Sequence, residues 1–202
     1  MLENLLPRLA LELRPGLDPK RYFDAELAEF WLEIGFGAGE HLAWQAQAHP
    51  QIGHIGAEPY IAGMAKLLAK IADANLVNIR LYTEDARDVI AALPKESVGR
   101  IFILFPDPWP KKRHHKRRFI QTEILDKLAS VMKKDAELRF ATDDPDYLVW
   151  ALERFVAHPC FRWLAQSPAD WRLRPTDWPE TRYEAKAKGA SRACTYLRFV
   201  RA

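Results

Sequence analysis

The chain has 202 residues, 49% of them hydrophobic and 28% charged, and its 30 Lys and Arg against 27 Asp and Glu leave a formal net charge of +3. That length and balance suit one domain with a buried core and exclude a disordered chain. No stretch approaches the roughly 20 consecutive apolar residues of a membrane span, so a membrane-embedded role is excluded as an expectation.

Taken in chain order, the apolar residues of Met1 to Gly16 are broken by Glu3, Arg8 and Glu12, so no secretory leader is predicted and residues 1–28 form a short N-terminal segment. "FWLEIGF" (30–36) is a short apolar run that ends among glycines. "IGHIGAE" (52–58) and "NIRLYTED" (78–85) are similar runs, each closed by an acid. "GRIFILF" (99–105) holds five consecutive large apolar residues, the pattern of a strand covered on both faces. "AELRFAT" (136–142) and "CTYLRFV" (194–200) add two more runs.

Helical spacing separates them. It links Ile61, Met64, Leu68 and Ile71; then Ile120, Ile124, Leu128 and Val131; then Leu148, Leu152 and Phe155. Asp144 before Pro145 predicts an N-cap and first-turn proline for the last of these helices. Segment 159–192 is the least regular part. Strands alternating with helices imply an α/β fold, a mostly parallel sheet with helices on both faces, in a single domain spanning 1–202. The ligand site of such a sheet lies beyond the carboxyl ends of its strands. Glu33 to Gly39, Glu58, Asp85, Asp107 and Asp143 all fall there.

Gly35, Gly37 and Gly39 stand at a strand-to-helix junction, where glycine lets a ligand approach the backbone. The spacing is GxGxG, not the GxGxxG of dinucleotide binders, and Glu33 and Glu40 flank it. A pyrophosphate suits that acidic setting poorly. A phosphate-free nucleoside with a cationic centre, such as S-adenosylmethionine, suits it better. Glu58 is 19 residues past Gly39, near the roughly 20-residue offset of a ribose-binding acid. Asp85 is placed to reach an adenine edge. For each acid taken alone, a solvated strand end explains it as well.

"FPDPWPKKRHHKRRF" (105–119) sets three prolines around Asp107 and Trp109, then six Lys/Arg and two His in a row. Pro106, Pro108 and Pro110 push Phe105, Asp107 and Trp109 out of the right-handed helical region, so the turn is stiff and holds Asp107 with little entropy left to lose. The basic run offers phosphate contacts, and Trp109 either stacks on a base or wedges against the core. His114 and His115 have no convergent Cys or acid spacing, so no metal site is predicted. Cys160 and Cys194 form no CxxC, which suits a reducing cytoplasm.

"LEIGFGAGEHL", "GAEPY", "TEDARD", "FPDPWPKKRHHKRRF", "ATDDPDY" and "TRYE", ordered over about residues 31 to 186, together resemble the bacterial tRNA (guanine-N7)-methyltransferases. The resemblance implies a Rossmann-like class I methyltransferase domain with a seven-stranded sheet. It further implies S-adenosylmethionine as methyl donor, S-adenosylhomocysteine as product, no metal, and a variable-loop guanine of tRNA as acceptor. A cytoplasmic monomer or homodimer is expected. The implied cofactor site comprises Glu33, Gly35, Gly37, Gly39, Glu58, Asp85, Ala86 and Asp107, with Asp107 also the implied catalytic residue. On the substrate side it implies Lys111, Arg113, His114, His115, Lys116, Arg117 and Arg118, together with Asp143, Thr181, Arg182, Tyr183 and Glu184. Segment 176–189 is otherwise read as a mobile polar loop.

Three other functions compete. An amino-group methyltransferase of another base also carries an acid or amide before proline, but as DPPY or NPPY, whereas here Trp109 follows Asp107-Pro108. A non-catalytic RNA-binding relative has no need of the acids at 33, 58, 85 and 107. A nicotinamide oxidoreductase fits neither the glycine spacing nor the absence of a hydride-transfer acid–base pair.

Overall fold

The computed structural model describes residues 3–14, 16–23 and 26–202; within the predicted N-terminal segment, positions 1, 2, 15, 24 and 25 lie outside the described residues. A short helix α1 (Leu6–Leu9) and a 3-10 turn (Pro19–Tyr22) precede β1 (Glu29–Ile34). There follow α2 (Glu40–Ala48), β2 (Ile52–Ala57), α3 (Ile61–Asp73), β3 (Ile79–Tyr82), α4 (Ala86–Ala92) and β4 (Val98–Leu104). A 3-10 helix over Lys112–Arg117 leads into α5 (Thr122–Val131), β5 (Met132–Thr142) and α6 (Pro145–Ala157). The chain ends in β6 (Phe161–Trp163), α7 (Ala169–Arg172), α8 (Arg182–Gly189) and β7 (Thr195–Arg201).

One seven-stranded sheet runs in the order β3-β2-β1-β4-β5-β7-β6. Its first five strands are parallel, while β7 is antiparallel to both β5 and β6. Strand alternation divides the core. Leu32, Ile34, Ile101, Ile103, Leu138, Phe140, Leu197 and Phe199 turn to one face and pack with Val89 and Ile90 of α4, Leu125 and Leu128 of α5, and Phe155 of α6. Trp31, Phe102, Leu104, Ala141 and Tyr196 turn to the other face and bury Trp178. Each such large apolar side chain contributes about 1.5–3 kcal/mol by leaving water.

Asp144 caps α6 as the sequence predicts, its side chain accepting a 2.7 Å bond from the backbone N–H of Tyr147 with Pro145 in the first turn. The segment 159–192 is more regular than expected. It holds β6, α7 and α8, and the predicted mobile loop 176–189 is largely a helix anchored by the buried Trp178. Strand order reverses between β1 and β4, so the connections after these two strands run to opposite sides and leave a crevice at their carboxyl ends.

Candidate functional site

Gly35, Gly37 and Gly39 follow β1 with φ of 73°, 56° and 72°, the left-handed region in which a Cβ is strained. Their loop is also clamped from outside. A Cβ on Gly63 of α3 would lie 2.0 Å from the carbonyl oxygen of Gly37, so only a glycine in α3 lets the helix come this close. Glu58, just past β2, braces the loop from the other side: its Oε2 accepts a 2.8 Å bond from the Gly37 N–H and its Oε1 a 2.9 Å bond from the Tyr60 N–H.

Across the switch point, β4 ends at Leu104 and the proline turn begins. Phe105 and Trp109 lie outside the right-handed region, as the prolines predict, but at φ of 53° and 46° instead of extended. A non-glycine residue there costs about 1–2 kcal/mol, so the turn is held by its surroundings. Asp107 is exposed between these two residues.

Loop and turn enclose a cleft of about 510 Å3, lined by Gly35, Glu58, Tyr60, Asp85, Ala86, Asp107 and Trp109, with Arg87, Arg117, Phe119 and Tyr183 among its other walls. Its volume is that of a small-molecule site. Of the expected cofactor residues, Gly35, Glu58, Asp85, Ala86 and Asp107 meet here. Asp85 caps α4, accepting from the Arg87 N–H at 2.9 Å, and its other oxygen pairs with the Arg87 side chain at 2.8 Å. Glu33 lies deeper. It is 3% exposed, bonds His41 Nδ1 at 2.6 Å, and faces an adjoining hollow shared with Gly35, Phe105, Thr181 and Tyr183.

These residues fit S-adenosylmethionine. The Gly37 N–H, the donor a pyrophosphate would need at this loop, is taken by a carboxylate. Each Glu58 oxygen keeps a free lone pair for a hydroxyl, and Tyr60, Ala86 and Phe119 supply apolar walls for an adenosine. Among the described residues, no group of three or more His, Cys, Asp or Glu is placed to hold a metal ion.

The basic run forms the wall beyond Trp109. Lys111, Lys112, Arg113, Lys116 and Arg117 are exposed, and His114 and His115 half-buried. The Arg117 guanidinium lies 4.9 Å from the centre of the Trp109 ring, with His114 edge-on at 5.9 Å, so Trp109 sits at the cleft rim. Arg118 departs from expectation. It is 0% exposed, donates from Nε to the Pro108 carbonyl at 2.8 Å and pairs with Asp146, so it is not free to meet a phosphate.

The second expected substrate group divides in the same way. Asp143, after β5, accepts a 2.7 Å bond from Arg192 Nε. Thr181 is the buried N-cap of α8, accepting from the Glu184 N–H at 3.3 Å. Glu184 is turned inward, 0% exposed and paired with Arg174 at 3.1 Å and Lys188 at 2.8 Å. Both cations meet Oε1, which compensates the buried charge, while Oε2 is buried without a hydrogen-bond partner among the described residues. Tyr183 points the other way. Its ring lies over Gly37, where an added Cβ would meet it at 2.8 Å, and Arg182 stacks on that ring at 5.0 Å.

Sequence reasoning missed His41, Tyr60, Arg87 and Phe119. His41 occupies the first turn of α2 and shows no local pattern that announces Glu33 as its partner.

Comparison with known proteins bears on this site. The family model described as "Putative methyltransferase" matches residues 28–197. The chain is 50% identical to a tRNA (guanine-N(7)-)-methyltransferase of Rhodospirillum rubrum, covering 100% of this chain and 81% of that protein. It is 54% identical to the protein of the same name from Ruegeria pomeroyi, over 86% of this chain and 73% of that one. Among solved structures, the 16S rRNA methyltransferase KamB shares the fold at a TM-score of 0.62 and 16% identity, covering 96% and 98% of the two chains. A mutant 16S rRNA (adenine(1408)-N(1))-methyltransferase from Catenulisporales acidiphilia, solved with its cosubstrate SAM, does so at 0.60 and 20%, covering 96% and 97%.

Proposed function

The chain belongs to the tRNA (guanine-N(7)-)-methyltransferase family, and from that premise we propose how its own residues move a methyl group from S-adenosylmethionine to N7 of a variable-loop guanine in tRNA. One observation carries the reading: the carboxylate of Asp107, unpaired among the described residues, lines the cleft that Glu58 and the glycine loop enclose, at a stiff turn with the cationic helix directly beside it.

When bound, S-adenosylmethionine supplies an electrophilic methyl on a sulfonium and leaves as S-adenosylhomocysteine. Guanine N7 carries a free lone pair and no proton, so the displacement needs no general base. With the cofactor held by Glu58, Gly35, Asp85 and Ala86, its carbon–sulfur bond would break as the carbon–nitrogen bond to the guanine formed, and positive charge would pass to the purine. Asp107 accepts from the donor edge of the guanine and stabilises that charge as it develops, an electrostatic role in place of proton abstraction. Because the turn is already rigid, little ordering is left for the transition state.

On the cofactor side, Glu58 holds ribose hydroxyls, Gly35 admits the methionine portion against bare backbone while the buried Gly37 and Gly39 shape the loop behind it, and Asp85 with Ala86 meets the adenine. Glu33, steadied by His41, closes the inner end. Lys111, Arg113, His114, His115, Lys116 and Arg117 hold phosphates, giving grip without reading bases. Asp143, Arg182 and Tyr183 flank the guanine from β5 and α8, and Thr181 and Glu184, which also fix the first turn of α8, complete that side of the substrate site. No helix among the described residues is long and apolar enough to cross a membrane. We place the enzyme in the cytoplasm, as a monomer or homodimer.

Incubating the protein with unmodified tRNA and labelled S-adenosylmethionine, then digesting to nucleosides for mass spectrometry, tests this. The expected product is 7-methylguanosine from the variable loop; a methylated exocyclic amine on another base defeats the reading.

A further inference from the structure

We propose that Arg118 is a positioning residue for methyl transfer: a buried clamp that holds the turn carrying Asp107 against the loop carrying Asp143. The inference rests on the site reading given above. In sequence Arg118 is the last of a basic run, and all the other members keep surface toward solvent, whereas Arg118 has none. An arginine stripped of water costs stability unless its donors are met; here Nε and one terminal nitrogen are met, while Nη1 is buried without a hydrogen-bond partner among the described residues.

Its donors point in two directions. Nε donates 2.8 Å to the carbonyl of Pro108, the residue after Asp107. A terminal nitrogen pairs with the carboxylate of Asp146, three residues past Asp143 in the first turn of α6. The guanidinium lies 5.0 Å from the ring centres of both Tyr147 and Trp150, also on α6.

The same helix grips the chain just beyond. Tyr147 Oη accepts from the Ile120 N–H at 3.2 Å, and Trp150 Nε1 donates to the Ile120 carbonyl at 2.8 Å. Asp146 also faces His115 at 3.6 Å. One planar fork thus touches the neighbour of one substrate-facing acid and the helix that starts beside the other. The positive φ of Phe105 and Trp109 gives the clamp its purpose, since a turn in that conformation relaxes unless something opposes it. Lysine cannot replace the fork, because an ammonium does not present two fixed donor directions to Pro108 and Asp146.

The test compares Arg118→Lys, Asp146→Asn and the double variant, in the full chain with unmodified tRNA. Turnover is taken per cofactor site, counted by calorimetry with S-adenosylhomocysteine, so that loss of folded protein does not register as loss of catalysis. Asp146 has 67% of its side-chain surface exposed, so its variant folds even where an Arg118 variant does not. Each single change is expected to lower kcat by about tenfold or more, toward the hundredfold that an ångström of misplacement costs. The salt dependence of tRNA affinity stays as in the parent. The double variant is no worse than the worse single one, because the pair acts as a unit.

Unchanged kcat in Asp146→Asn overturns the clamp, as does multiplication of the two losses. A fall of about one in the salt slope for Arg118→Lys also overturns it, since that marks a phosphate contact. Asp107→Asn is run alongside: if it turns over normally the site reading fails, whereas steep loss there with intact clamp variants removes the clamp alone.

Discussion

Glu58 and Gly37 are joined by a 2.8 Å hydrogen bond from backbone N–H to carboxylate, which locks the glycine loop after β1 to the end of β2. The other Glu58 oxygen accepts from Tyr60, so one side chain both shapes the loop and faces the cleft. Charged acceptors of this kind are worth about 1.5–3 kcal/mol. Glu58→Ala is therefore expected to weaken S-adenosylhomocysteine binding by about 10- to 150-fold in titration calorimetry. Affinity within threefold of the parent would show that Glu58 serves the loop only.

Asp107→Asn keeps the size of the side chain and removes its charge. With electrostatic stabilisation as the role, kcat falls by about 10²-fold or more while tRNA affinity holds, the loss typical of one preorganised group at a developing charge. Single-turnover rates and filter binding separate the two quantities. A variant with near-parental kcat contradicts the assignment.

What could be read in the sequence followed from periodicity and from strand ends. Glu58 and Asp107 were legible because each closes an apolar run, and the alternation of Leu32 and Ile34 with Trp31 and Glu33 is the two-faced strand itself. Asp144 and Pro145 announced their helix by local chemistry. Arg117 and Arg118 are indistinguishable in a run of cations; only α6, some thirty residues further on, decides that one faces the cleft and the other is buried. Glu184 reads as a polar surface residue until Arg174 and Lys188 enclose it. β6, at three residues, is too short to show a period.

Gly63 shows the same limit from the opposite side, as a glycine inside a helix whose purpose lies in another element. An alanine there must displace the Gly37 carbonyl, which is backbone and cannot swing aside. Overpacking of this type costs about 1–3 kcal/mol. Gly63→Ala is expected to lower the thermal midpoint and to weaken cofactor binding together. Gain of stability, as for an ordinary helical glycine-to-alanine change, would show that the loop yields freely.

Arg117 stacks on Trp109 and is exposed, so it is available to a phosphate where Arg118 is not. Arg117→Ala is expected to weaken tRNA binding and reduce the slope of log affinity against log salt by about one. Titrations between about 50 and 200 mM salt resolve that change. An unaltered slope removes Arg117 from the phosphate contacts.

His54 gives the fold a dependence on pH that is independent of the site chemistry. It lies in β2, 1% exposed, with its ring 5.5 Å from Trp31 and edge-on to it. Burial pushes its pKa down from 6.5 to about 3, because the imidazolium cannot be solvated there; the bond with the His49 backbone opposes this only in part. A lowered folded-state pKa means that the unfolded chain takes up the proton first. The His54 contribution is therefore complete above about pH 6.5 and is lost as pH falls toward about 3. Between about pH 6 and 4, unfolding free energy should drop with a slope that includes about 1.4 kcal/mol per pH unit from this one group. Burial tends to raise Glu137, but its pairing with Arg139 outweighs this and leaves its carboxyl lowered, so acid weakens that pair as well. His54→Leu removes the histidine share alone, and urea unfolding across that pH range should show the slope flatten by about that amount. A parental slope in the variant would mean that the imidazole is protonated within the fold.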